Sequence, residues 1–136
     1  MNVAPRIAVD TSIAIPLLVA SHAAHRRVRD WARGRRLSLS GHASVETYAV
    51  LTRLPGDARV SAEDAVALID DRFPEVLALS ADSAITAPRR LAGLGIAGGA
   101  VYDGLVALAG RRRFFAGRFF AGGEPARDLA VVVARS

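Results

Sequence analysis

Apolar residues in this chain fall into short runs of two kinds, and their order suggests the architecture. Ile7 to Val9 is a brief apolar run of the buried-strand type, and Thr11 or Ser12 is placed to cap a helix that follows it. Pro16 lies within the first turns of that helix or kinks it. The next segment, "SHAAHRRVRDWARG", has Ser21 as a candidate N-cap, Val28 and Trp31 at helical spacing and Gly34 as a stop, so it predicts an amphipathic helix with an arginine-rich outer face. "LSLS" alternates as a strand does. "GHASVETYAVLTRL" is apolar nearly all round, which predicts a buried helix ended by the turn signal "PGDA".

Beyond that turn, "SAEDAVALIDDRF" opens with a variant capping box, Ser61 to Asp64, and its spacing directs Val66, Leu68 and Ile69 inward. "EVLAL" reads as a strand, "SADSAITAPRRLAGLG" as a helix broken or kinked at Pro88, and "GGAVYDGLVALAG" as a helix entered through glycines. "DLAVVVA" reads as a last strand. The alternation β, α, β, α, α, β, α, α implies an α/β fold whose parallel sheet is covered on both faces. One domain over 1–136 accounts for the chain, because no linker or low-complexity boundary divides it. The exception in texture is 111–123, where "RFFAG" at Arg113–Gly117 is repeated exactly at Arg118–Gly122. Five residues are too few for an architectural repeat, so local duplication, a shifted reading frame or divergence accounts for it.

Composition narrows the chemistry. No cysteine is present, which excludes disulfide frameworks, thiolate metal sites and cysteine nucleophiles. The 18 basic residues are all arginine, so mechanisms that require a lysine, such as P-loop ATPases and Schiff-base enzymes, are excluded as well. A net charge of +5 favours a polyanionic partner, since the guanidinium fork pairs well with phosphate. Asp10 and Pro16 interrupt the only run resembling a secretory signal, and no run approaches the roughly 18–20 apolar residues of a membrane span. The chain therefore reads as a soluble cytoplasmic protein without a membrane partner.

Three acids stand out by their neighbours. Asp10 lies where a buried strand gives way to a helix, the sheet end at which open α/β folds place ligands. Glu46 has Ala43, Ala49 and Val50 at three- and four-residue spacing, and Asp103 has Gly99, Ala100, Val106 and Ala107. Each spacing predicts a buried or cleft-facing carboxylate, which is costly unless a cation offsets it. Arginine or a hard metal ion such as Mg²⁺ or Mn²⁺ meets that need. Purely structural roles are the competing assignment: Asp10 as a helix cap, Glu46 paired with Arg53, and Asp103 capping the last long helix.

Together, "AVDTS", "SVETYAVLTRL" and "GGAVYDGLVALAG" resemble, in order and separation, the PIN-domain ribonucleases of the VapC toxin type, over about residues 6 to 110. The resemblance implies a PIN-like three-layer α/β/α fold with a central, mostly parallel sheet. It implies a metal-dependent endoribonuclease in which Asp10, Glu46 and Asp103 hold Mg²⁺ or Mn²⁺, with Thr11 and Ser12 supporting the site. It further implies a toxin of a toxin–antitoxin pair that cleaves structured RNA such as tRNA or rRNA, forms a homodimer and binds a VapB-type antitoxin. One departure stands against the pattern. Family members carry a fourth acid in a "T-x-D" motif, yet no Asp or Glu lies between Asp103 and Glu124 here. A catalytically impaired domain that binds its antitoxin, and RNA, without cutting is the rival expectation; Glu124 and Asp128 are the nearest substitutes for the missing acid, but Glu124 better matches the family's "E-P" and Asp128 a surface helix residue.

The remaining polar residues divide between site and surface. His22 and His25 imitate a metal pair but have no third ligand, and their helix is otherwise a solvated basic face. His42 lies one turn before Glu46. Arg111, Arg112 and Arg113 follow the Asp103 helix, where they grip RNA phosphates or complement a helix end. Phe114, Phe115, Phe119 and Phe120 fit core or partner contacts better than base stacking. A phosphatase built on Asp10 would need a second acid two residues on, where Ser12 stands.

Overall fold

The computed structural model describes residues 6–109 and 114–116. Strand β1 (Arg6–Val9) leads into α1 (Thr11–Leu18) and α2 (His25–Ala32), and β2 (Arg36–Ser40) into α3 (Gly41–Thr52). A 3-10 turn at Gly56–Ala58 precedes α4 (Ala62–Arg72), and β3 (Val76–Leu77) precedes α5 (Ala81–Gly93) and α6 (Ala100–Ala109). Strand β4 (Phe114–Ala116) closes the described chain. The sheet order is β3-β2-β1-β4 with every pairing parallel. Consecutive residues Ile7, Ala8 and Val9 of β1 and Leu37, Ser38, Leu39 and Ser40 of β2 are all buried, so both faces of the central strands are covered. That is the α/β architecture the alternation implies.

Several boundaries differ from the sequence reading, each for a local reason. Both helices expected between β1 and β2 form, one more than the compact order β, α, β counts, but their bounds shift. Helix α1 runs through Pro16 and ends two residues later, where Val19 N–H closes on the Ile15 carbonyl. Its N-cap is Asp10 rather than Thr11 or Ser12, because the Asp10 carboxylate already accepts the Ser12 N–H. Helix α2 starts at His25 and not after Ser21; residues 20–24 form turns in which His22 Nδ1 accepts the Ala24 N–H. The arginine-rich outer face of α2 is as expected, with Val28 and Ala32 turned inward.

Helix α3 is not buried all round. Ala43, Thr47 and Leu51 form its inner row, whereas Val45 is 69% exposed and Tyr48 is also exposed. A helix apolar on every side carries no phase of its own, so packing against α1, α4 and β2 sets it. In α4 the inner row is Ala65 and Ile69, continued by the buried Phe73; Val66 and Leu68, expected inside, are exposed. The expected strand "EVLAL" reduces to Val76–Leu77, an edge strand with two pairs, Leu39↔Val76 and Ser40↔Leu77. Helix α5 is continuous through Pro88. The first "FFA" of the tandem forms β4, a strand the hydrophobic pattern did not predict, in register Ile7↔Phe114 to Val9↔Ala116. The predicted strand "DLAVVVA" lies outside the described residues.

Candidate functional site

Every parallel strand ends on the same side of the sheet, so the residues that follow β1 and β2 meet there. Asp10 leaves β1 in extended conformation and caps α1, its Oδ1 accepting the Ser12 N–H at 3.0 Å and the Ser12 hydroxyl at 2.5 Å. It is 8% exposed, a buried carboxylate whose charge faces the N-terminal end of a helix. Ser12 thus holds Asp10 twice. Thr11, pointing the other way, donates its hydroxyl to Glu46 Oε2 at 3.0 Å and lies 3.4 Å from the Ala43 carbonyl. The β1–α1 junction therefore carries one acid and orients another from a helix 35 residues away in sequence.

Glu46 differs from expectation in one respect: its side chain is about half exposed, at 51%. Among the described residues its partners are Thr11 and His42, whose Nε2 lies 3.9 Å from Oε2, and not Arg53. Thr47, completely buried, directs its hydroxyl to Thr11 Oγ1 at 3.5 Å and so backs the residue that holds Glu46. Sequence reading missed Thr47. The signal was there, since Thr47 is the lone hydroxyl in the Ala43–Thr47–Leu51 row at four-residue spacing.

Asp103 is the fourth residue of α6, inside the helix and not at its cap. Helix α6 packs against β1, β2 and α3; Asp10 directly follows the first of these and Glu46 lies in the last. The side chain of Asp103 lies outside the described residues, as do Arg111, Arg112, Arg113, Phe119, Phe120, Glu124 and Asp128. Gly104, the next residue in α6, is buried, and a Cβ there would stand 2.6 Å from Leu91 Cδ2, so α6 approaches α5 as closely as a glycine allows. The His22/His25 pair is used locally: His25 Nδ1 is 2.8 Å from the Pro16 carbonyl, fixing α2 to α1.

Replacing Thr11 with Val keeps the shape and removes the donor to Glu46 and the acceptor for Thr47, so a loss of about 1–2 kcal/mol is expected by urea unfolding. A Thr11→Val/Glu46→Gln double-mutant cycle measures the coupling directly, and strict additivity would mean that the bond does not form in solution.

Comparison with known proteins places these features in context. A model of the PIN domain matches residues 7–112. The chain is 54% identical over 105 residues to Ribonuclease VapC27 of Mycobacterium tuberculosis strain ATCC 25618 / H37Rv, covering 77% of each chain. It is 39% identical over 107 residues to Ribonuclease VapC40 of the same species, covering 77% of this chain and 78% of that one. Among solved structures, Mycobacterium tuberculosis VapC20, described as a sarcin-ricin loop cleaving toxin, superposes with a TM-score of 0.55 at 26% identity. That match covers 74% of this chain and 77% of the other.

Proposed function

Because the chain belongs to the PIN-domain family, in its VapC ribonuclease type, we propose that it is a metal-dependent endoribonuclease toxin of a toxin–antitoxin pair, acting on structured RNA such as tRNA or rRNA. The observation that carries this reading is the Thr11 hydroxyl, which ties the Glu46 carboxylate to the strand end occupied by Asp10. Two acids from different elements are thereby oriented at one end of the sheet, and α6, which carries Asp103, packs on the same strands.

The donor set suits a hard divalent cation. Carboxylate and hydroxyl oxygens without any cysteine favour Mg²⁺ or Mn²⁺ over softer ions. Asp10, Glu46 and Asp103 are the residues that would hold it. When bound, such an ion lowers the pKa of a coordinated water and offsets charge growing on the scissile phosphate. The protein's own part is positional. Ser12 fixes the Asp10 carboxylate, Thr11 and Thr47 fix Glu46, and the burial of Asp10 restricts competing solvent. Arg111–Arg113 are proposed to bind the RNA backbone as the sequence leaves the Asp103 helix. A homodimer, a VapB-type antitoxin partner and a cytoplasmic location complete the proposal; among the described residues no helix is long and apolar enough to cross a membrane.

Purified protein incubated with total tRNA and rRNA is expected to produce discrete fragments with Mn²⁺ or Mg²⁺ and none with excess chelator. Cleavage that persists in chelator would exclude the metal-dependent mechanism.

One observation favours a second reading, a PIN domain that binds its antitoxin, and RNA, without cutting. Strand β4 ends at Ala116, paired with Val9, the residue before Asp10, and the sequence beyond it has no acid before Glu124. The seven residues that follow β4 in sequence, 117–123, thus contain no carboxylate. Equal inertness of the wild type and an Asp10→Asn variant on the same RNA would establish this second reading.

A further inference from the structure

Beside the acids, at the carboxyl ends of β2 and β3, lies a cleft of about 290 Å³ that the proposed chemistry does not use. Its lining includes Leu77, Leu79, Ala84 and Leu105, the buried Ser40 and the partly exposed His42. We propose that this cleft is a nucleobase subsite, which holds the base next to the phosphate handled at the Asp10–Glu46 end of the sheet and so sets where the RNA is cut. The inference rests on the nuclease reading and adds a specificity determinant to it.

Continuity with the acids comes first. His42 belongs to the cleft and has its Nε2 3.9 Å from Glu46 Oε2, so the two sites share a wall. Strands β1 and β2 are adjacent and parallel, so the end of β2 that lines the cleft and the end of β1 that delivers Asp10 face the same side of the sheet. Through His42, a nucleotide whose phosphate lies at the acids would direct its base toward this opening. The lining chemistry comes second. Leucine and alanine walls supply no cation for a phosphate, whereas a base offers flat apolar faces with polar edges. The single imidazole of the lining, 41% exposed, is suited to stacking on a base or hydrogen bonding to its edge. The volume is third. At about 290 Å³ the cleft falls at the small end of ligand sites, matching one ring system and not a dinucleotide.

The walls have separate origins, which makes the subsite tunable without disturbing the acids. Leu77 and Leu79 come from β3 and the residues after it, Ala84 from the first turn of α5, and Leu105 from α6. None of these is part of the Asp10–Ser12 or Thr11–Glu46 network.

The test reads binding and cutting separately. In the full chain, the His42 ring and Ala84 methyl NMR signals are followed during titration with the four nucleoside 5′-monophosphates at millimolar concentration, with ribose 5-phosphate as the base-free control. The expected result is that at least one nucleotide shifts both signals and ribose 5-phosphate does not. Filling the cleft with Ala84→Phe, or with Leu79→Trp should the first variant not fold, is expected to weaken that binding at least about tenfold. Sequencing of cleavage products from a random RNA pool should show a base preference beside the cut that the filled variant loses by a similar factor. Equal shifts with ribose 5-phosphate, no shift with any nucleotide, or displacement only by an apolar peptide would overturn the proposal. An unchanged cleavage profile in a filled variant would overturn it too. Should the wild type cut no RNA, the nuclease reading fails, and the nucleotide titration alone decides whether the cleft takes a base.

Discussion

An Asp10→Asn variant is expected to lose RNA cleavage by about a thousandfold or more while folding as the parent does. Asparagine retains the carbonyl oxygen that accepts the Ser12 N–H and hydroxyl, and it ranks with aspartate as a helix N-cap, so α1 keeps its start. What disappears is the charge. A thousandfold loss corresponds to about 4 kcal/mol of transition-state stabilisation, the scale expected when a hard ligand of an essential cation is neutralised. Single-turnover cleavage with Mn²⁺ gives the rate, and thermal unfolding of both proteins checks that the fold is intact. Adding Mn²⁺ should raise the unfolding temperature of the wild type and leave the variant nearly unmoved, because only a ligand that binds the folded state stabilises it. A variant within tenfold of an active wild type would remove Asp10 from the site.

How much of this was legible beforehand varies with the kind of signal. The β1–α1 junction was readable because an ionised side chain interrupts an apolar run at a strand end, and the structure finds Asp10 buried there with Ser12 and Thr11 turned to opposite acids. Helix phase was less readable. Helix α3 is apolar on several sides, so only its neighbours decide that Thr47 faces inward while Val45 faces out. Composition predicts a longer β3, since "EVLAL" has strand character throughout, but the sheet has a partner only for Val76 and Leu77. No local pattern predicts β4: "FFA" offers three residues with no alternation, and its place beside β1 comes from parallel pairing with Ile7–Val9, a contact more than a hundred residues apart. Cleft volume and the approach of His42 to Glu46 depend on how α3, α5 and β3 meet, which no local pattern encodes.

The inner face of α4 is where sequence spacing and structure disagree most sharply, and stability measurements separate them. Phe73 is 1% exposed and follows the row Ala65–Ile69, with its N–H closing the helix on the Ile69 carbonyl at 2.8 Å. Truncation in Phe73→Ala leaves a cavity that the surrounding helices fill only in part, at an expected cost of about 3–5 kcal/mol. A domain of this size has about 5–15 kcal/mol in total, so the variant should be marginal at physiological temperature. Val66, which simple spacing directs inward, is 49% exposed, and Val66→Ala should cost less than about 1 kcal/mol. Urea midpoints with unchanged slopes give both numbers, and the reverse ranking would mean that α4 is rotated in solution. The consequence reaches the cleft. Phe73 anchors the chain three residues before β3, whose two ladder pairs with β2 hold Leu77 at the cleft wall, so β3 should lose hydrogen-exchange protection in Phe73→Ala before the β1–β2 ladder does.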